Sequence, residues 1–332
     1  MEQLPYISIL LAVRNEEENL GNCLDALLAL NYPKEKLEIL VGNDASEDDT
    51  VAIAEKYSQQ YDFIRLYSIE EKLGGAEGKA NVLAQLAHFS KGEFLFFTDA
   101  DMEVPVGWIR DMLKGFDAAD VGVVTGVSYV EGNGLWNTWQ AMEWLYALSL
   151  VKVMAILKQP VTAMGNNMAV RRAAYEATGG YEQIPFSVAE DFALFWSMRK
   201  VGWDFRQLFT VGVLSRTQPV KTLLDWLKQR KRWMQGAMML PWYWQLALVL
   251  HSCLLPVLLF FLFISPQWIL LLSFSLISIR SFWIGSVLHF LRIKKGLWSV
   301  FYFEPTYTIL YSLLLIYYLL PVNVEWKGRE YQ

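Results

Sequence analysis

The sequence predicts an α/β domain, built on a mostly parallel sheet with helices on both faces, followed by interfacial helices and a C-terminal bundle of transmembrane helices. Over roughly the first 130 residues, short apolar runs alternate with amphipathic stretches, and from about residue 240 onward charged residues nearly disappear. Strands that are almost wholly apolar and alternate with helices are typical of a parallel sheet covered on both faces. Long uncharged stretches are typical of membrane spans.

The elements of the α/β domain follow from this alternation. Apolar runs predict strands at residues 6–13, 37–43, 63–68, 93–99 and 121–127. Amphipathic patterns between and after them predict helices at residues 17–30, 48–59, 77–90 and 107–117. Ser46, followed three residues later by Asp49, predicts a capping box at the start of the second helix.

Composition excludes several classes of protein. The 332 residues suit one large domain or two ordinary ones, and the net charge of −5 argues against a nucleic-acid partner. The two cysteines, Cys23 and Cys253, lie far apart, which predicts neither a disulfide framework nor a zinc site and fits a reducing compartment. The N-terminal residues have no basic segment or cleavage site, so we expect a first strand there and not a signal peptide.

Two long aromatic stretches precede or border the apolar tail. Residues 136–158 carry Trp and Tyr along one side, which fits either a helix that caps the core or a helix in the membrane interface. Residues 221–242 form a second such stretch that is also basic. The tail then offers three spans, at about residues 243–264, 268–290 and 298–320, with tryptophans near their ends.

The charges that flank the spans predict the orientation. The loop between the second and third spans contains Arg292, Lys294 and Lys295, and the positive-inside rule puts such a loop in the cytoplasm. Two membrane crossings separate this loop from the α/β domain, so the domain lies on the same side as the loop. We therefore expect an integral protein of a bacterial inner or plasma membrane with a cytoplasmic α/β domain. Arg280 lies in the middle of a span, and we expect it to face other helices or a polar group.

Polar side chains collect where the strands end. In a parallel sheet the ligand site lies at the carboxyl ends of the strands, and here three strands end in Arg14-Asn15-Glu16-Glu17, Asn43-Asp44 and Asp99-Ala100-Asp101. Two carboxylates at a strand end suit Mg²⁺ or Mn²⁺ that also binds a phosphate, although Asp is also a common turn and cap residue. Lys79 at a helix N-terminus favours a pyrophosphate, although a glycine-rich turn with one Lys is, taken alone, more often a surface loop. The sequence matches neither the dinucleotide fingerprint nor a P-loop.

Seven motifs occur in one order: AVRNEEENL, VGNDASEDDT, GKANVLAQL, FTDADMEVP, GNNMAVRRAAYEATGGYE, AEDF and QRKRW. In this order they resemble glycosyltransferase family 2, which includes the synthases of cellulose, chitin and hyaluronan and the ceramide glucosyltransferases. The resemblance covers roughly residues 5–240. It implies a GT-A fold, a nucleotide-sugar donor, a divalent metal ion (Mg²⁺ or Mn²⁺), and inversion at the anomeric carbon by a single displacement.

The resemblance also implies roles on the donor side. Asp44 matches the acidic residue that recognises the base, usually uracil, and Ala12, Arg14 and Glu16 line the same pocket. Lys79 matches the lysine of the diphosphate region. Asp99 and Asp101 match the D-x-D metal ligands, with Asp101 as the more direct of the two.

On the acceptor side, Asp191 matches the general base that takes the proton of the acceptor hydroxyl, and Glu190 precedes it. Met164, Gly165 and Asn166 match the segment that lines the acceptor. Gln229, Arg232 and Trp233 match Q-x-x-R-W, in which Trp stacks on the acceptor sugar and Arg reaches the diphosphate. The alternative for this last motif is an interfacial helix whose basic residues contact anionic lipid.

These expectations divide the chain into a GT-A domain (1–215), an interfacial helix with Q-x-x-R-W (216–241), a transmembrane region of about three helices (242–322) and a tail (323–332). Three spans and no span before the catalytic domain argue against a polymer channel formed by one such chain. We therefore expect transfer to a lipid or lipid-linked acceptor among the membrane lipids. Synthesis of a polysaccharide, with a glycan acceptor and with or without partner subunits, is the alternative, and an inactive membrane scaffold is the remote one.

Overall fold

The computed structural model describes residues 4–295, 298–322, 324–326 and 329–331. The chain divides into two compact units that are discontinuous in sequence. The first unit comprises Met1–Ser128 and Val151–Gln218, and the second comprises Tyr129–Leu150 and Pro219–Gln332.

The first unit contains alternating strands and helices. Its strands, the seventh of which continues into the second unit, are β1 (Ile7–Val13), β2 (Leu37–Asn43), β3 (Ile64–Ser68), β4 (Phe94–Thr98), β5 (Met102–Glu103), β6 (Val121–Thr125), β7 (Val127–Val130), β8 (Asn167–Arg171), β9 (Asp204–Gln207) and β10 (Leu214–Thr217). Its helices are α1 (Leu20–Leu28), α2 (Thr50–Gln60), α3 (Gly78–Phe89), α4 (Trp108–Leu113), α6 (Arg172–Ala177) and α7 (Glu190–Lys200). The five strands and four helices predicted from the sequence are confirmed, with ends that differ by a few residues.

The main sheet has seven strands in the order β3-β2-β1-β4-β8-β6-β9. All neighbours are parallel except β8, which runs antiparallel to both β4 and β6. Strands β1, β2 and β4 are buried almost throughout, as expected for strands covered on both faces. The predicted mostly parallel α/β sheet is therefore confirmed, and the reversed strand β8 is an addition that the apolar pattern did not predict.

The predicted capping box at the second helix is wrong. Helix α2 begins after Asp49, and no side-chain cap bond to that residue forms. The Ser46 hydroxyl instead accepts a hydrogen bond of 3.1 Å from the backbone N–H of Asn15. The N-cap position of α2 is Asp49, so Ser46 lies three residues before the cap and instead links the loops that follow β1 and β2.

The second unit is mainly helical. Its elements, the first of which ends in the first unit, are α5 (Leu135–Ile156), α8 (Leu223–Ala237), α9 (Trp242–Ser252), α10 (Leu254–Leu262), α11 (Pro266–Phe290), α12 (Ser299–Leu319), β11 (Val324–Trp326) and β12 (Arg329–Tyr331). Strands β11 and β12 pair antiparallel within the predicted tail, of which residues 323, 327, 328 and 332 lie outside the described residues.

Helices α11 and α12 are each long and apolar enough to cross a membrane, as predicted for the second and third spans. The predicted first span consists of α9 and α10, which meet at a bend of 46°. Pro256 explains the break, because it lacks a backbone N–H and its ring would clash with the carbonyl of Ser252, the last residue of α9. Large apolar side chains on these helices are exposed, for example Phe260 at 64% and Phe282 at 79%, as expected for a surface that lipid covers.

Arg280 has a partner inside the helical unit, as the sequence predicts. Its guanidinium forms a buried ion pair with Glu304 of α12, and its Cζ lies 5.1 Å from the centre of the Tyr307 ring. The Glu304 carboxylate also accepts a hydrogen bond of 2.8 Å from the Thr308 hydroxyl. A charge in the middle of a span is expensive unless it is paired in this way.

A second buried ion pair joins α5 to α8. The Glu143 carboxylate accepts hydrogen bonds from two nitrogens of Arg230, of which the Nε contact is 2.8 Å. The same carboxylate accepts hydrogen bonds from the Trp226 indole at 3.3 Å and from the Tyr311 hydroxyl at 2.9 Å. Because Glu143 and Arg230 are both nearly inaccessible to solvent, each depends on the other for its charge balance.

We predict that Glu143→Leu lowers stability by about 3–5 kcal/mol, because it leaves the Arg230 charge buried without its carboxylate. The measurement is the thermal unfolding midpoint of detergent-purified protein. The control is the double variant Glu143→Leu/Arg230→Met, in which both charges are removed and most of the loss should be recovered. An unchanged midpoint in the single variant would contradict the assigned ion pair.

Candidate active site

The loops that follow β1 and β2 form one side of the predicted site. Arg14 donates a hydrogen bond of 2.7 Å from its guanidinium to the carbonyl of Asp44, and the Asp44 N–H donates one of 2.9 Å to the carbonyl of Val13. The Glu16 N–H donates to the Thr50 hydroxyl at 2.7 Å, and Ala12 lies opposite Gly42 in the sheet register. The four residues predicted to line the base pocket therefore lie on two adjacent strand ends that hydrogen bonds tie together.

Lys79 enters the site from the first turn of α3. This helix packs closely on β2, because a side chain on Gly42 would overlap Val82 of α3. Lys79 is the second residue of the helix, so the close packing brings its side chain over the carboxyl edge of the sheet. The sequence-based placement of Lys79 at a helix N-terminus is confirmed.

The Lys79 ammonium lies between two carboxylates. Its Nζ is 2.6 Å from Oδ1 of Asp99 and 2.8 Å from Oε1 of Glu190. Burial would lower the pKa of Lys79, but the charges of Asp99 and Glu190 outweigh burial and raise that pKa well above its usual range. Lys79 is therefore positively charged at any physiological pH, and it connects the D-x-D segment to the segment that contains Asp191.

Asp101 is held from the other side by a residue that the sequence reasoning missed. Its Oδ2 accepts a hydrogen bond of 3.0 Å from the hydroxyl of Thr217 at the end of β10. Burial, followed by the negative charges of Asp99 and Glu16, raises the pKa of Asp101 to about 6. A polar residue at the end of a short strand, in SRTQP, is the one signal that could have indicated Thr217.

The donor atoms fit a divalent cation that takes part of its ligands from a substrate. Among the described residues, no three His, Cys, Asp or Glu side chains converge to form a metal cage. Asp99 and Asp101 instead supply two carboxylates at one strand end, where burial and then the charges of Asp99 and Glu16 raise the pKa of Asp101 to about 6. Mg²⁺ and Mn²⁺ commonly bind to one or two carboxylates and complete their shell with phosphate oxygens and water.

Asp191 is the second residue of α7 and faces Gly165. Its Oδ2 accepts a hydrogen bond of 2.6 Å from the Gly165 N–H, and a Cβ at Gly165 would come within 2.8 Å of the Asp191 Cβ. Burial and then the charge of Glu190 raise the pKa of Asp191 to about 6, while the Gly165 N–H and Lys79 oppose this shift. A carboxylate with this pKa is a suitable general base near neutral pH.

The segment before β8 brings the predicted acceptor residues to the same edge. The Asn166 carbonyl accepts a hydrogen bond of 3.2 Å from Thr98, the last residue of β4, and the Met164 carbonyl accepts one of 3.3 Å from the Asn167 N–H. Asn167 is fully buried, accepts from the Trp108 indole at 2.8 Å and donates to the carbonyls of Val127 and Val213. The side chain of Asn167 therefore fixes several loops behind Met164, Gly165 and Asn166.

Gln229, Arg232 and Trp233 lie on α8 in the second unit. The Trp233 ring is 4.2 Å from the Arg230 Cζ and packs edge-on against Trp144 at 5.3 Å, and the Gln229 amide accepts from Arg230. The Lys231 ammonium donates a hydrogen bond of 2.7 Å to the carbonyl of Leu320, just after α12. Sequence reasoning selected the outer residues of QRKRW and missed the two inner ones, which carry the buried contacts of this helix.

Comparison with known proteins gives a family match over the whole chain. Residues 1–332 match the model described as glycosyl transferase family 21. The chain is 27% identical over 236 residues to a beta-monoglucosyldiacylglycerol synthase of Trichormus variabilis, covering 70% of this chain and 49% of that protein. It is 25% identical over 314 residues to a poly-beta-1,6-N-acetyl-D-glucosamine synthase of Staphylococcus epidermidis, covering 91% of this chain and 71% of that protein. The chain thus spans about half the length of several curated relatives that it matches.

Among solved structures, the chain resembles the mannosyltransferase PcManGT from Pyrobaculum calidifontis, determined in complex with GDP-Man and Mn²⁺. The TM-score is 0.60 at 17% sequence identity, and the match covers 95% of this chain and 86% of that one. This likeness confirms the predicted GT-A fold class.

We predict that Asp191→Asn leaves thermal stability at pH 7.5 equal or higher. The pKa of Asp191 is raised to about 6 in the folded protein. Its contribution to the free energy of unfolding is therefore fully present only below about pH 4, and it is lost as pH rises through about 6. The amide removes the buried charge and keeps one oxygen for the Gly165 N–H. The loss of the 2.8 Å hydrogen bond from the Phe192 N–H costs less free energy than the buried charge does. The check is the unfolding midpoint of both proteins from pH 5 to pH 8. A clear loss of stability for the variant at pH 7.5 would contradict this assignment.

Proposed function

The chain belongs to glycosyl transferase family 21, and from that membership we propose that it transfers a sugar from a nucleotide diphosphate sugar, a UDP-sugar, to a hydroxyl of a lipid or lipid-linked acceptor, with inversion of the anomeric carbon. The family found by comparison differs in number from family 2, which the motifs resemble, but both are families of glycosyltransferases. The donor, the acceptor and the stereochemistry are parts of the proposal.

One observation carries the proposal. Lys79 Nζ contacts both Asp99 and Glu190 within 2.8 Å, and Asp191 directly follows Glu190 in the chain. A cation suited to a diphosphate, a carboxylate pair suited to a metal ion and a carboxylate suited to a base thus come together at the carboxyl edge of one sheet. A metal-assisted single displacement uses these three groups and uses them near one another.

The proposed reaction assigns each group a task. The acceptor hydroxyl oxygen attacks the anomeric carbon from the face opposite the diphosphate, and its proton passes to Asp191. A new glycosidic C–O bond forms as the bond from the anomeric carbon to the diphosphate oxygen breaks, and the electron pair leaves with the nucleoside diphosphate. Lys79 stabilises the negative charge that accumulates there. When bound by Asp99 and Asp101, Mg²⁺ or Mn²⁺ would neutralise part of the same charge.

The membrane helices support an acceptor that is itself in the membrane. Helices α11 and α12 are apolar enough to span a bilayer, and a relative with 27% identity is named for making a glucosyldiacylglycerol. We propose that Gln229, Arg232 and Trp233 of α8 contribute to donor and acceptor binding at the membrane interface. The basic residues of the loop after α11, including Arg292 and Lys294, favour a cytoplasmic position for that loop and for the α/β unit.

Polysaccharide synthesis is the second candidate. The observation that favours it is the match to the poly-N-acetylglucosamine synthase, which extends over 91% of this chain and therefore includes the helical region. In that case repeated transfer would extend a glycan, with or without partner subunits.

We predict that detergent-purified protein with Mn²⁺ and a panel of UDP-sugars releases UDP when membrane lipid extract is added, and that Asp191→Asn lowers the turnover number at least about 100-fold, the range that a general base contributes. Sizing of the radiolabelled product separates the two candidates. One sugar on a lipid-soluble product supports single transfer, and a long water-soluble chain supports polymer synthesis. If no nucleotide sugar is consumed and Asp191→Asn leaves the cellular glycolipid and glycan profile unchanged, the proposed function is wrong.

We predict that the turnover number at saturating donor and Mn²⁺ falls as pH decreases through about 6, and not near 4, where an ordinary aspartate protonates. The reason is that burial and Glu190 raise the pKa of Asp191 to about 6, and only the ionised carboxylate accepts a proton. The measurement is the pH profile of the turnover number between pH 4.5 and 8. Saturating Mn²⁺ and donor limit any contribution from Asp101. A profile that is flat down to pH 5 would contradict the role of Asp191.

A further inference from the structure

Tyr181 carries a buried hydroxyl that the proposed reaction does not use. The residue is 3% exposed, and its hydroxyl oxygen has no hydrogen-bond partner among the residues that the structure describes. Its ring packs edge-on against Phe97 of β4 at 6.4 Å and against Tyr175 at 5.8 Å. A buried hydroxyl without a partner costs free energy, so its retention in a tightly packed place calls for a function.

The surroundings of this hydroxyl are acidic. Burial raises the pKa of Tyr181 well above its usual range, and among the carboxylates Glu190 adds the largest contribution, ahead of Asp191 and Asp99. The phenol therefore stays protonated, and a hydrogen bond that it donates to a carboxylate would stabilise it. Glu190 is the carboxylate whose charge acts on it most strongly.

The negative charge of Glu190 is balanced by Lys79, which Glu190 shares with Asp99. The Lys79 Nζ lies 2.8 Å from Glu190 and 2.6 Å from Asp99, so one positive charge serves two negative ones. A diphosphate that binds Lys79 must compete with these carboxylates for the same ammonium group. When Lys79 turns toward a diphosphate, Glu190 needs another partner, because a carboxylate that is only 13% exposed is costly to leave unpaired.

We propose that Glu190 is a positioning residue that exchanges partners, holding Lys79 until a nucleoside diphosphate binds that lysine and then accepting a hydrogen bond from the Tyr181 hydroxyl. This inference rests on the proposed donor site. It assigns Glu190 to the control of donor binding, whereas the motif resemblance assigns it to the acceptor side. It also gives the Tyr181 hydroxyl a partner in the diphosphate-bound form.

The exchange predicts opposite effects for two small substitutions. Glu190→Gln weakens the hold on Lys79 and removes one negative charge near the diphosphate, so binding of UDP should become about 5-fold tighter or more. Tyr181→Phe removes the partner that Glu190 takes up when Lys79 leaves, so binding of UDP should become about 5- to 10-fold weaker. When Glu190 is already Gln, the Tyr181→Phe change should lose most of its effect.

The test is titration calorimetry of UDP, and of GDP in parallel, with Mn²⁺ into the full detergent-purified chain and its variants. Glu77→Gln is the matched control, because it removes a carboxylate at the start of α3 that pairs with Lys72, and it should leave UDP affinity unchanged. The unfolding midpoint of Tyr181→Phe should not fall, since the hydroxyl makes no bond within the described residues.

The outcomes separate this inference from the proposed function. Tighter UDP binding in Glu190→Gln together with weaker binding in Tyr181→Phe supports the partner exchange. If the unaltered protein binds UDP but Glu190→Gln binds it equally or more weakly, or Tyr181→Phe binds it equally or more tightly, the exchange is wrong and the donor site stands. If the unaltered protein binds neither UDP nor GDP, the proposed donor chemistry fails and the exchange fails with it.

Discussion

The positive charge of Lys79 is the interaction on which the arrangement of the site depends. A parallel sheet directs the ends of its strands to one edge, and in this chain those ends deliver Asp99 and Asp101, while α7 adds Glu190 and Asp191. Burial makes these carboxylates resist ionisation and their mutual repulsion adds to the effect, so that the pKa values of Asp101 and Asp191 are both raised to about 6. Lys79 makes their proximity tolerable, and so the same cation that suits a diphosphate also stabilises the acidic cluster.

The backbone around this cluster is held by buried polar contacts. Asn167 connects Trp108 and the carbonyls of Val127 and Val213, so that α4, β7 and the segment before β10 are fixed behind one side chain. Thr217 at the end of β10 then holds Asp101. A carboxylate can keep a shifted pKa only if its neighbours cannot relax away from it, and these contacts supply that rigidity. Precise chemistry at the edge of the sheet therefore rests on hydrogen bonds that lie deeper in the fold.

The sequence predicted the five strands, the four helices between and after them, the position of Lys79 and the partner class of Arg280, because apolar periodicity and the cost of a bare charge are local or nearly local signals. It did not predict the reversed strand β8, the hold of Thr217 on Asp101 or the use of Ser46 between two loops. Those features depend on which distant segments become neighbours, and periodicity carries no such information. Pro256 could have indicated the bend between α9 and α10, but the long apolar run around it predicted one continuous span. The position of Lys79 between Asp99 and Glu190 likewise depends on distant segments that become neighbours only in the folded protein.

Because β8 runs in the reverse direction, the chain reaches the two halves of the site differently: one half follows strands and the other half precedes a strand. Asp44, Asp99 and Asp101 follow parallel strands, so their positions are set by the strands that carry them. Gly165 and Asn166 precede β8, at the end of a segment from residue 157 that belongs to neither helix nor strand. Insertions or deletions in that segment can be absorbed before the strand begins, without a shift in sheet register. On the proposed assignment of roles, a change of length in this segment would alter the acceptor side of the site and leave the donor side, which the strand ends carry, unchanged.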